Sequence, residues 1–109
     1  MPSPGDVVLC NYQGAQGKKW RPSVVVSSAI FHANSLDVIV GELTTQVVKA
    51  NLPTNCLLQD WVAAGLHQAS LFRVYFSMAL EKKVFPIGRL TDRDWLEVQN
   101  RLRIGLAVT

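Results

Sequence analysis

Three cations and an indole crowd into Gly17-Lys18-Lys19-Trp20-Arg21-Pro22. Cations neutralise phosphates and an indole stacks on an unpaired base, so the pairing suits single-stranded nucleic acid. The same residues also describe a solvated loop whose Trp20 covers a sheet edge. Arg21 differs from the two lysines because Pro22 and an apolar run follow it directly, which holds its guanidinium more firmly. Leu43-Thr44-Thr45-Gln46 sets two hydroxyls and an amide between apolar segments, where they can reach a phosphate or a base edge. Threonine is also an ordinary strand residue, and a purely structural role fits it as well. His32 and His67 have no carboxylate beside them in sequence and read as loop or packing residues, with His67 in Gly65-Leu66-His67-Gln68 kept as a candidate base.

The familiar catalytic patterns are missing: there is no Gly-x-Ser-x-Gly, no phosphate loop, no His-Glu-x-x-His and no carboxylates spaced for a common site. Two cysteines and two scattered histidines lack metal-ligand spacing, so no metal and no cofactor is expected. Cys10 and Cys56 each lie in apolar surroundings and are expected to be buried thiols rather than a disulfide. With 49% hydrophobic and 17% charged residues in 109, the chain can build one core and is expected to form a single domain over 1–109. No apolar run approaches the ~18 to 20 residues of a membrane span, and the start lacks the marks of a secretory leader, so a cytoplasmic location away from membranes is expected. The net charge is +3. Residues 1–60 hold four basic and four acidic side chains, and the second half supplies the whole surplus. The cluster Lys18, Lys19, Arg21 is therefore a positive patch inside a neutral half.

The elements that must position these groups are mostly strands. Asp6 to Tyr12 follows Pro4-Gly5 and reads as a strand, and Gln13 to Lys19 as a mobile loop. Pro22 to Phe31, rich in valine and isoleucine, reads as a strand covered on both faces. Leu36 to Leu43 is a further strand, and Cys56-Leu57-Leu58 a short apolar resumption after Leu52-Pro53-Thr54-Asn55. Asp60 to Ala69 is a connection. Ala69 to Leu80 alternates, with Leu71, Arg73, Tyr75 and Ser77 on one side, and Val84 to Gly88 adds a short strand. At the end Thr91 is expected to cap a helix whose first turn holds Asp92 and Asp94 and whose stripe is Trp95, Val98, Leu102 and Leu106. The fold class is mainly β, a small curled barrel with a C-terminal helix.

Gly5-Asp6-Val7-Val8-Leu9, Arg21-Pro22-Ser23-Val24-Val25-Val26-Ser27, Val38-Ile39-Val40-Gly41-Glu42-Leu43-Thr44-Thr45-Gln46, Leu52-Pro53-Thr54-Asn55, and Gly65-Leu66 shortly before Ser70 occur in that order. This series resembles the MazF/PemK toxins of bacterial toxin-antitoxin systems across nearly the whole chain. The resemblance implies an SH3-like (CcdB/PemK-type) barrel, a homodimer, a cognate antitoxin, and metal-independent cleavage of single-stranded RNA. By the same resemblance Arg21 and Thr44 are the catalytic pair, Gln13 to Lys19 is the loop that closes on RNA, and Gln46 lies close to the substrate groove; together with the cations, indole and hydroxyls above, the expected RNA-binding positions are Lys18, Lys19, Trp20, Thr45, Gln46 and Arg73. Many members carry an acid-Gln-Ile-Arg stretch where this chain has Arg73-Val74-Tyr75-Phe76-Ser77-Met78, and Arg73 is expected to replace part of that charge. Two alternatives are a gyrase-inhibiting binder like the CcdB toxins and an RNA-binding relative that cuts nothing. The first acts through a tryptophan close to its chain end, whereas the last tryptophan here is Trp95.

Overall fold

A valine pair on each of two neighbouring strands shows how the sheet is built: Val7 and Val24 enter one apolar cluster, while Val8 and Val25 enter another. Consecutive strand residues point to opposite faces, so a run of buried residues needs cover on both. The computed structural model describes residues 2–14 and 17–108, with the side chains of Gln13, Gly14 and Lys18 outside that description. Its order is β1 (Asp6–Gly14), β2 (Gly17–Val25), α1 (Ala29–Ala33), β3 (Asp37–Thr44), β4 (Cys56–Leu57), β5 (Leu71–Leu80), β6 (Phe85–Arg89) and α2 (Asp92–Gly105). The strands form one antiparallel sheet in the order β4-β5-β3-β2-β1-β6.

Connectivity forces this sheet to curl. Laid flat, β5 and β6 would stand four strand spacings apart, about 19 Å. The five-residue step from Leu80 to Phe85 reaches at most about 17 Å fully extended, and residues Glu81–Lys83 contract it into a 3-10 turn. The sheet therefore closes on itself into a half-barrel. Gly41 contributes to the tight packing: a Cβ there would lie 2.6 Å from Cε1 of Phe72, a fully buried ring of the first cluster.

Two expected boundaries are corrected. The loop expected from Gln13 to Lys19 is mostly ladder, because Gln13 pairs with Lys18 and Gly14 with Gly17; residues 15 and 16 lie outside the described residues. The strand expected from Pro22 to Phe31 stops at Val25. Ser28 takes the N-cap position, its hydroxyl accepting from the Phe31 N–H at 3.2 Å, and this side-chain bond starts α1 within the apolar run. His32 is buried there against the Ser27 hydroxyl, which also accepts from the Ile39 N–H, so the histidine ties α1 to β3.

The C-terminal helix forms as the periodicity predicts, with Val98 fully buried and Trp95 and Leu102 packed on the first cluster; Leu106 falls just past its end. Its acidic first turn does more than oppose the helix dipole. Buried Asp94 accepts from the Gln59 N–H at 2.9 Å and the Asp60 N–H at 2.8 Å. Thr91 has the extended backbone of a cap, yet its hydroxyl donates to Asp60 at 2.6 Å instead of capping. Arg93 completes the clamp with two bonds to the Asp60 carboxylate. Hydrogen bonds from Arg93, then from Thr91, hold the Asp60 carboxyl down at about 2. Both cysteines are free and buried, and desolvation pushes the Cys56 thiol up to about 11 and raises Cys10.

Two outcomes follow for this clamp. Asp94→Ala leaves two backbone N–H groups without an acceptor and lowers the unfolding free energy by about 2–3 kcal/mol, read from urea unfolding; Asp94→Asn loses less. The depressed Asp60 carboxyl contributes stability that is fully present above its unfolded value and is lost as pH falls through about 2. The melting temperature of Asp60→Asn is therefore below the parent's at neutral pH, and the gap closes between about pH 4 and pH 2.

Candidate functional site

Ladder pairing between β2 and β3 is short: Val25 with Val40, Val24 with Gly41, and Ser23 with Glu42. Two residues beyond its last pair stand Arg21 on one strand and Thr44 on the other. Strand alternation keeps both on the face of Ser23 and Glu42. Arg21 Nη1 lies 3.4 Å from Glu42 Oε1, with side-chain exposures of 39% and 8%. The pair thus has a buried carboxylate and a guanidinium whose outer edge meets solvent.

A polar floor lies beside it. The Ser23 hydroxyl donates to the Tyr12 hydroxyl at 3.1 Å, and both residues are buried. Desolvation is the main cause that raises the Tyr12 phenol well above its usual range, against the Ser23 bond, with Cys10, Glu42 and Tyr75 adding to the rise. The phenol therefore stays neutral at physiological pH. Tyr12 stacks with Tyr75 at 6.2 Å between ring centroids, and the Arg73 guanidinium sits 5.0 Å over the Tyr75 ring. A bulge explains this reach. Between the pairs Gly41–Phe76 and Leu43–Phe72, β5 has two more residues than β3, so the stretch from Arg73 to Tyr75 faces Glu42. One row therefore runs across three strands, from Arg21 through Glu42 to Tyr75 and Arg73.

Thr44 closes the end of this row. Its Oγ1 accepts from the Gln46 N–H at 3.2 Å, which orients the side chain and leaves the hydroxyl hydrogen free to donate. Lys19, paired with Tyr12, is exposed on the Arg21 side of β2.

Other residues singled out in the sequence lie elsewhere. Trp20 points to the opposite face, 52% exposed, with its ring 5.5 Å from that of Phe85. That pair borders a hollow of about 520 Å³ with Asn11, Met78, Lys82 and Lys83. Thr45 also diverges from Thr44 and lines a groove of about 290 Å³ with Pro22, His67, Gln68, Ser70 and Ile87. Gln46 is exposed at the turn leading to a 3-10 segment, Val47–Lys49. The Lys18 side chain lies outside the described residues. Sequence reasoning missed Glu42, Tyr12, Ser23 and Tyr75. Only Glu42 carried a signal, as a charge inside Val-Ile-Val-Gly-Glu-Leu.

Among the described residues, no group of three or more His, Cys, Asp or Glu is placed to hold a metal ion. No helix among the described residues is long and apolar enough to cross a membrane. In chemical terms the row offers cations and a hydroxyl donor for an anion's oxygens, with a carboxylate beneath them.

The profile of the "PemK-like, MazF-like toxin of type II toxin-antitoxin system" matches residues 3–106. No curated protein matches the chain. Several solved structures share the fold. A mycobacterial endoribonuclease in complex with its cognate antitoxin superposes with a TM-score of 0.76 at 18% identity, over 100% of both chains. A chain of the MazE-MazF complex (Form-II) from Deinococcus radiodurans gives 0.73 at 15% identity, over 99% of this chain and 97% of that one. The Mycobacterium tuberculosis toxin MazF-mt6 gives 0.71 at 17% identity, over 89% and 91%. At such identities the superpositions speak for the fold, while the profile spans nearly the whole sequence. The chain is a member of the PemK-like, MazF-like toxin family of type II toxin-antitoxin systems.

Proposed function

We propose that the protein is a metal-independent endoribonuclease toxin that cuts single-stranded RNA in the cytoplasm. The observation that carries this reading is the convergence of Arg21 and Thr44 on one face, at the open end of the β2–β3 ladder, with Arg73 across β3. A scissile phosphate held there meets the exposed edge of Arg21 and the free hydrogen of Thr44. The ribose 2′-oxygen attacks phosphorus in line, and the products are a 2′,3′-cyclic phosphate and a free 5′-hydroxyl. Charge growing on the phosphoryl oxygens is met by Arg21, and Thr44 adds a hydrogen bond to the same group. Lys18, Lys19 and Arg73 neutralise flanking phosphates. Thr45 and Gln46 read base edges from the adjoining turn. Trp20 stacks a base where the strand leaves over the β1–β2 hairpin.

The same reading gives the protein a homodimeric state and a cognate antitoxin that covers the RNA face. Support for the antitoxin comes from the family and from two structural relatives that are themselves complexes of toxin with antitoxin.

Purified protein in EDTA is expected to cut a long single-stranded RNA and leave new 5′-hydroxyl ends, mapped by ligation-based sequencing. Arg21→Ala should slow the cut by about 10²–10³-fold. Because that variant also strips the counter-charge from buried Glu42, it should cost about 1 kcal/mol of stability, which a urea titration separates from lost activity. No cleavage by the parent, or equal cleavage by Arg21→Ala, sinks the reading.

A further inference from the structure

Transfer of the 2′-hydroxyl proton needs an acceptor, and the row of side chains around Arg21 narrows the choice. A guanidinium keeps its proton throughout the physiological range and cannot serve as the acceptor. Tyr12 and Cys10 on β1 face the same space, and burial raises both. Arg73 and Tyr75 on β5 contribute a cation and a phenol. His32 is enclosed with Ser27, and His67 lines the groove that holds Thr45. Two carboxylates lie on this face among the described residues: Asp6, farther along β1, is paired with Arg89, and Glu42 stands beside Arg21.

Burial of Glu42 needs a reason. Its side chain lies on β3, between β2 and β5, and the Arg21 guanidinium is its one ion-pair partner among the described residues. A carboxylate beside a phosphate-binding arginine weakens phosphate capture by like-charge repulsion, so an anchoring site gains nothing from it. A site that must also take up a proton does gain. Glu42 occupies only one corner of the guanidinium, at Nη1, and the solvent-facing donors remain for the phosphate. A single planar guanidinium then holds carboxylate and phosphate side by side. The 2′-hydroxyl is tethered to that phosphate through its own ribose.

We infer that Glu42 is the proton acceptor for the 2′-hydroxyl, positioned by Arg21; this rests on the ribonuclease reading above. As O2′ forms its bond to phosphorus, its proton passes to a Glu42 carboxylate oxygen. The bond from phosphorus to O5′ breaks, the 5′-oxygen leaves with the electron pair and takes a proton from water, and Glu42 returns its own proton to solvent. Arg21 thereby has two jobs, holding the acceptor from one side and the phosphoryl group from the other.

The test compares the parent, Arg21→Ala, Glu42→Gln and Glu42→Ala on a short RNA carrying the mapped cleavage site, under single-turnover conditions. Glu42→Gln should cut about 10²–10⁴-fold more slowly. It should bind an uncleavable copy with a 2′-deoxy nucleotide at the site as tightly as the parent or more tightly. The parent's rate should fall in acid as one group takes up a proton, and Glu42→Gln should lack that fall. Glu42→Ala, with space left by the lost side chain, should regain rate when formate is added. A Glu42→Gln rate within about threefold of the parent, or above it, overturns the inference, because a carboxylate that only masks Arg21 would give that result. A slow Glu42→Gln with the parent's pH profile, and a Glu42→Ala without formate rescue, also overturns it. If the parent cuts and Arg21→Ala does not while Glu42→Gln does, only the role of Glu42 falls; if the parent cuts nothing, both readings fall.

Discussion

The two-sided burial of the β1–β2 hairpin is the constraint from which the rest of the molecule follows. Val7 and Val24 must enter one apolar cluster while Val8 and Val25 enter the other. A slip of one residue would turn all four to the wrong side, so the register is strongly specified. That register extends along the hairpin, where Cys10 faces Arg21 and Tyr12 faces Lys19. The direction in which Arg21 points is thus decided by valines farther along its own strand.

The same constraint separates groups that look united in the sequence. Lys19, Trp20 and Arg21 are neighbours in the chain, yet Trp20 packs toward Phe85 while Arg21 pairs with Glu42 on the other side. Thr44 and Thr45 part in the same way. Much of the fold was legible: the strands beginning at Asp6 and ending near Leu80, the terminal helix with Val98 inward, and the buried thiols all follow from patterning. The end of β2 was not, because an apolar run reads alike in a strand and in a short helix, and the decision rests on the hydroxyl of Ser28. The acidic first turn of α2 signalled a helix start correctly, but its long-range use could not be read. Asp94 binds backbone thirty-five residues away from it, at Gln59.

The polar row was partly legible for the same reason. Arg21 and Thr44 lie on strands whose pairing a resemblance can suggest, whereas the approach of Arg73 and Tyr75 depends on extra residues in β5 that become visible only once the ladder is known. Tyr12 and Ser23 read as ordinary strand residues, and their hydrogen bond needs the register of β1 against β2. Charge within a strand is the more informative cue. Glu42 sits among residues that bury well, and a carboxylate there requires a cation close by.

The clamp at the start of α2 also bears on the opposite end of the connection it grips. Asp94, Thr91 and Arg93 hold Gln59 and Asp60, and the chain runs from there through Ala64 and Leu66 of the first cluster to His67 and Gln68, which wall the Thr45 groove. The helix thus serves as the fastening of that wall. Anything that lifts α2 from the sheet loosens the wall with it, so the groove can be reshaped through the helix without a single contact inside it.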